Sequence, residues 1–239
     1  MKSLFIFILI LNLSLFAGDD FEIDDEAFDS FAEEFATPIK PDLDPLKSYN
    51  TIMTSYNDLF YTKVFFPVAK NYAKIIPEDA RVSVSNLFHN LNYPTRLINN
   101  ILQLKFKNSL EESERFIINS TIGVLGLFDV AKSQFNLKKH NEDFGQTLGF
   151  YGVGSGFHIV LPFIGPSNLR DSLSMIVDSK ADIIYTLEDT NAIATKTLFF
   201  INETTFKTKE YESLKQDTVN LYPYLKNIYE QHRESEINK

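Results

Sequence analysis

The chain has 239 residues, 44% of them apolar and 14% aromatic, with no Cys and no Trp. That length suits one domain with a sizeable core, and the missing thiol rules out disulfides, cysteine nucleophiles and cysteine metal sites. Of the net charge of −9, Met1 to Ala36 carry −8 (one Lys against nine Asp and Glu), leaving −9 − (−8) = −1 for the rest, so nucleic acid finds no basic face.

Lys2, the apolar run Leu4 to Phe16 and the small pair Ala17-Gly18 have the layout of an export signal. The run falls short of the ~18 residues of a spanning helix, which favours cleavage over anchoring. We expect a signal peptide at 1–17, an acidic segment and linker at 18–43, and a helical domain at 44–235. In the acidic segment, Phe28, Phe31 and Phe35 share one helical face. A solvated tail and a helix that docks on a partner are both open readings.

Asp44-Pro45 predicts an N-cap, followed by Leu46, Tyr49, Ile52, Met53, Tyr56, Leu59 and Phe60 at helical spacing. Asp79 to Asn92 and a segment from Pro94 continue the pattern, the latter with Leu97, Ile98, Ile101 and Leu102 on one face. Ser109-Leu-Glu-Glu112 predicts a capping box for a helix that turns almost wholly apolar towards Gly126. Ser167 is placed to cap a helix reaching about Tyr185. Ala192 to Ile201 predicts another, and Lys209 to Ser235 a charged amphipathic helix that Pro223 kinks or splits. The fold class is mainly α. Thr121 to Ala131, Phe157 to Ile164 and Ile193 to Ile201 are short and very apolar. They suit buried core helices or a protein half-sunk in one leaflet.

Eight of the nine glycines lie between Gly123 and Gly165, and five of them between Gly145 and Gly156. Such clustering marks a backbone that bends or packs closely. Two chemical readings of it fail on spacing. Ser155 has Val153 and Phe157 where a nucleophile elbow needs glycines, and Gly152-Val-Gly-Ser-Gly156 lacks the strand and spacing of a dinucleotide loop. The histidines His89, His140, His158 and His232 have no metal-ligand spacing, so neither cofactor nor metal is expected. Beyond the glycines comes the pair Arg170-Asp171, and Asp171 and Asp178, seven apart, project from the same side of a helix. A solvated face with a local ion pair and a polar stripe lining a passage are both open.

Ten blocks in order give the chain a family likeness. They are Asp44-Pro-Leu-Lys-Ser-Tyr-Asn50, Pro67-Val-Ala69, Ile76-Pro-Glu-Asp-Ala-Arg81, Ser85 to Pro94, Arg115-Phe-Ile-Ile-Asn119, Gly126-Leu-Phe-Asp-Val-Ala131, Phe144-Gly-Gln-Thr-Leu-Gly149, Tyr151-Gly-Val-Gly154, Leu161-Pro162 and Leu169-Arg-Asp171. In these the chain resembles the MlaA/VacJ family of outer-membrane lipoproteins. The resemblance implies a ring of amphipathic helices in the inner leaflet of the outer membrane, around a central amphipathic channel. It implies removal of phospholipid mislocalised in the outer leaflet and delivery to a periplasmic carrier, beside a trimeric porin, with no enzymatic step. It places Arg170, Asp171 and Asp178 in the lipid channel and Gly145, Gly149, Gly152, Gly154 and Gly156 in its bent wall. Lys196 falls near that family's pore lysine, but the local match does not carry it over. The lipobox cysteine is missing, because Leu15-Phe-Ala-Gly18 is followed by Asp19. Attachment is therefore expected from embedded helices, a porin or both. A soluble periplasmic lipid carrier is the alternative.

Overall fold

The computed structural model describes residues 44–182 and 189–239. The expected signal peptide, the acidic segment, and Ile183, Ile184 and Tyr185 lie outside the described residues. The order is α1 (Lys47–Phe60), a π-helical turn (Tyr61–Phe65), α2 (Phe66–Ile75), α3 (Glu78–Leu91), α4 (Tyr93–Leu102), α5 (Phe106–Thr121), α6 (Val130–Phe135) and α7 (Phe144–Phe150). Then follow β1 (His158–Leu161), β2 (Gly165–Asn168), α8 (Leu169–Ala181), α9 (Asp189–Asp217) and α10 (Leu221–Ile237). The fold is mainly helical, as expected.

Helix packings close a ring. The π turn carries α1 into α2; α2 packs on α9, α9 on α3, α3 on α4, α4 on α7, α7 on α10, and α10 back on α1. The π turn sits just before Pro67, which has no N–H to complete the α-helical ladder, and a wider turn is a common way to absorb that loss.

Several local expectations are corrected. Asp44 is not the N-cap of α1: Leu46 is, and Asp44 instead accepts from the Asn50 amide and the Tyr222 hydroxyl. Ser109 lies inside α5 and makes no capping box; its hydroxyl bonds back to the Lys105 carbonyl. The apolar run at Thr121 is not a continuing helix, since α5 ends there and Val124, Leu125 and Gly126 all take positive φ. Phe157 to Ile164 is not a helix either. Most of it forms β1 and the turn of an antiparallel hairpin, with Leu161 opposite Gly165, where β-branched Ile159 and Val160 favour a strand and Pro162 opens the turn. Asn168, not Ser167, caps α8 by accepting from the Asp171 N–H. The two helices expected after Ala192 are divided differently: α9 runs 29 residues, and Pro223 sits in the first turn of α10, opening it rather than kinking it.

The hairpin explains two buried asparagines. Asn50 and Asn57, two turns apart on α1, dock on it with both ends of their amides. Asn50 donates to the His158 carbonyl (3.1 Å) and accepts from the Val160 N–H (2.8 Å). Asn57 donates to the Leu161 carbonyl (2.8 Å) and accepts from the Phe163 N–H (2.7 Å). An amide offers one donor and one acceptor face, which is what a free strand edge needs.

The distribution of polarity is inverted. Among the described residues, 28 buried side chains are polar or charged and 12 are apolar or aromatic, while 31 large apolar side chains are exposed. On α1 the stripe Tyr49, Ile52, Tyr56, Leu59 faces out and Asn50, Thr54, Asn57 face in. On α4, Ile98, Ile101 and Leu102 face out, and Arg96, Asn99 and Asn100 face in. The same holds for α5 (Phe106, Leu110, Ile117 against Glu112, Arg115, Asn119) and α8 (Leu169, Leu173, Ile176 against Arg170, Asp171, Ser174). The apolar faces of these helices therefore mostly look outward. Among the described residues, a compact apolar cluster forms around Phe88 and Phe199, and a chain of aromatic contacts joins Tyr61, Phe66 and Tyr211.

Candidate functional site

Inside the ring the polar faces meet as ion-pair networks. The largest joins α7, α8 and α10. Asp143 caps α7 through a capping box with Gln146 and receives Arg233 bidentately at 2.6 and 2.8 Å. The same guanidinium donates from Nε to Asp171 (3.0 Å). Asp171 also accepts from Arg170 Nε (2.8 Å), Tyr229 Oη (2.7 Å) and Asn168 Nδ2 (2.7 Å). Burial alone would raise the Asp171 carboxyl, but Arg233, Arg170 and Tyr229 outweigh it and hold it below the usual carboxylate range. Burial pushes the Tyr229 phenol up, and the Asp171 charge adds to that.

Asp178, two turns further along α8, meets the start of α7 instead. It accepts from the Phe144 N–H (3.0 Å) and from Asn99 Nδ2 (3.1 Å). Its carboxyl is pushed up to about 7, first by burial and then by the Asp143 charge. Neighbouring polar groups extend the seam: Thr147 donates to Asn99 (2.8 Å), and Gln103 and Lys105 donate to Glu142 (2.8 and 2.7 Å).

A second network lies between α4, α5 and α6. Glu112, fully buried, accepts from Arg96 Nε (2.8 Å) and the His140 N–H (2.7 Å), with Arg115 alongside at 4.0 Å. Arg115 in turn holds Asp129 at 2.8 Å, and Asn119 donates to the same carboxylate. Burial raises the Asp129 carboxyl, and Arg115 and Asn119 more than reverse this. Lys196 pairs with Asp182 at 3.1 Å, and both are buried.

An apolar cavity of about 210 Å³ lies on the other side of the ring, between α1, the π turn, the hairpin, α9 and α10. Tyr61, Phe66, Val160, Ile164, Phe200 and Leu225 wall it, and Thr54, Asn57, Thr204, Lys207 and Tyr211 supply polar edges. It exceeds the ~150 Å³ of an engineered cavity that holds benzene, so a stretch of one hydrocarbon chain fits and a whole lipid does not.

The structure brings Arg170 and Asp171 together and sets Asp178 apart on the same helix; none of the three lines this cavity. The five glycines divide. A Cβ on Gly145 would stand 2.4 Å from Asp171 Oδ1 and 2.8 Å from an Arg233 nitrogen, and one on Gly149 2.6 Å from Ile237. These two let α7 close on α8 and α10. Gly152 and Gly156 take φ of +80° and +72°, whereas Gly154 is neither crowded nor left-handed. The sequence gives Tyr229 only as a position on the last amphipathic helix, and it does not point to Asp143, Arg233 or Asn99 as network residues. Asp143 had a signal, since Asp-x-x-Gln before an apolar run is a capping box; Arg233, some sixty positions from Asp171, had none. Among the described residues no group of acidic and histidine side chains could hold a metal ion.

Comparison with known proteins fits this architecture. A protein of Rickettsia prowazekii designated RP093 is 32% identical over 182 residues, 76% of this chain and 72% of that one. The intermembrane phospholipid transport system lipoprotein MlaA of Escherichia coli is 35% identical over 131 residues, 54% of this chain and about half (52%) of that protein. A solved structure described as the structural basis for maintenance of bacterial outer membrane lipid asymmetry superposes with a TM-score of 0.72 at 26% identity, covering 81% of this chain and 98% of that one. The family model for the MlaA lipoprotein matches residues 42–236, and the chain, carrying that match over nearly all of its described length, belongs to the MlaA lipoprotein family.

Proposed function

We propose that this protein works at the outer membrane, taking phospholipid out of the outer leaflet and passing it towards the periplasm, so that lipid asymmetry is maintained. The observation that carries this reading is the inverted polarity of α1, α4, α5 and α8. Large apolar stripes face outward and ion pairs face inward, an arrangement suited to a hydrocarbon surround and costly in water. No helix among the described residues is long and apolar enough to cross a membrane, so the ring sits in one leaflet. The stripes then supply attachment where the 239 residues offer no Cys. Lipid is moved and no bond is broken, so the protein acts as a transporter and not as an enzyme. A trimeric porin beside the ring and a soluble periplasmic carrier below it complete the reading.

In this reading Arg170, Asp171 and Asp178 belong to the passage wall by holding α8 against α7 and α10, with Gly145 and Gly149 permitting the close approach. The sealed soluble carrier is less well supported: a 210 Å³ cavity cannot enclose two acyl chains, and the outward stripes would be exposed to water. The test is complementation of a strain lacking the protein, read as detergent-EDTA resistance and as surface-exposed phospholipid. Wild type restores both; a variant with Ile52, Leu110 and Leu173 changed to Asp, folded in detergent, restores neither. Full rescue by that variant would sink the proposal.

A further inference from the structure

We infer that residues 122–128 form a rigid apolar wedge seated in the hydrocarbon of the bilayer, a deepening that rests on the membrane-embedded reading above. The segment reads Ile-Gly-Val-Leu-Gly-Leu-Phe, without one polar side chain. Ile122, Val124, Leu125 and Phe128 are 53–69% exposed, so it hides none of its larger side chains among these four.

Most of its backbone bonds within the protein. Ile122 and Gly123 donate to the Ile118 carbonyl, Leu125 to Ser120, Gly126 to Asn119, Leu127 to Val124, and Phe128 to Gly123. Six of the seven N–H groups thus bond within the chain, and Asn90 and Asn86 donate to the Leu125 and Leu127 carbonyls. In this segment Val124 and Leu125 take φ of 54° and 60°, a region that β-branched and bulky residues rarely adopt. It also requires glycine at two places: a Cβ on Gly126 would meet Asn90 at 2.4 Å, and one on Gly123 the Phe128 carbonyl at 2.3 Å.

A loop in water has no need of such closure, because water serves its backbone. In hydrocarbon every backbone polar group must find its partner within the protein. The strained, largely self-satisfied backbone and the bare apolar surface agree on the second environment. The outward stripe of α5, Phe106, Leu110 and Ile117, leads to the wedge along the same helix.

The chain contains no Trp, so single-Trp variants report one site each. Phe128→Trp and Ile122→Trp probe the wedge, and Ile52→Trp probes the membrane reading through α1. Each full-length variant is reconstituted in phosphatidylcholine vesicles whose acyl chains carry bromine. The wedge predicts blue-shifted emission and loss of most intensity for all three. If Ile52→Trp is quenched while Phe128→Trp and Ile122→Trp keep their emission, the wedge is overturned and the segment belongs to water or to a protein partner. If none is quenched, the membrane reading itself fails and the wedge falls with it.

Discussion

Around Phe88 and Phe199, helices α3 and α9 meet as helices do in water-soluble proteins, although Arg81 and Asn202 also bond across them, whereas α4, α5 and α8 do the reverse. The rings of Phe88 and Phe199 meet at a tilt, centroids 4.4 Å apart, and are buried, with Val84, Leu91 and Ala192 packed around them. At the other seam Glu112 is buried between Arg96 and Arg115, and Asp171 among Arg170, Arg233 and Tyr229. In the first seam, cohesion comes from removing apolar area from solvent. In the second, the apolar residues are spent on the outside, and cohesion rests on charge-assisted hydrogen bonds whose strength depends on every partner being present. The two seams therefore respond differently to substitution and to the surrounding medium.

The largest effects fall on the networks. Removing one member of a buried pair strands the other, so Arg233→Ala and Glu112→Gln should each cost ~3–5 kcal/mol, read as thermal unfolding of the detergent-solubilised protein. Asp171→Ala belongs with them, and its loss of function will come with loss of fold. Phe199→Ala, in the apolar seam, should cost a comparable ~3–5 kcal/mol through its cavity, but with little dependence on salt. If Arg233→Ala and Phe199→Ala were equally insensitive to salt and to pH, the contrast would be wrong.

Gly145→Ala should cost ~1–3 kcal/mol by overpacking, because its Cβ meets Asp171 and Arg233. Gly154→Ala, in open space, should be nearly silent in the same melt. The effect at Asp178 depends on pH. Its folded carboxyl lies at about 7, above its ordinary 3.8, so the fold favours the protonated form. Stability from this group is fully present below pH 4 and is lost as pH rises through 7. Asp178→Asn should therefore match wild type at pH 4 and exceed it by ~1 kcal/mol or more at pH 8. Equal melting at both values would remove the assigned pKa.

Helical periodicity was legible along most of the chain, and the stripes of α1 and α4 were read residue by residue. Which way they face was not, because a hydrophobic pattern gives the width of an apolar face and not the medium that covers it. The hairpin was missed for a related reason. Phe157 to Ile164 is apolar without alternation, and its partner β2, Gly-Pro-Ser-Asn, has no strand propensity. It is held in place by Asn50 and Asn57 from over a hundred residues away. Arg170 and Asp171 could be picked out as an adjacent charge pair. Their decisive partners, Arg233 and Asp143, come from other helices and leave no local trace.

The central claim is that the apolar stripes face lipid. The absence of Cys allows single-cysteine variants at Ile52, Leu110 and Leu173 on the stripes, and at Val219 in the polar turn between α9 and α10, to be labelled in native membranes with a membrane-impermeant maleimide after outer-membrane permeabilisation. Labelling of the Val219 variant with protection of the other three is the predicted result; equal labelling at all four positions would contradict the account.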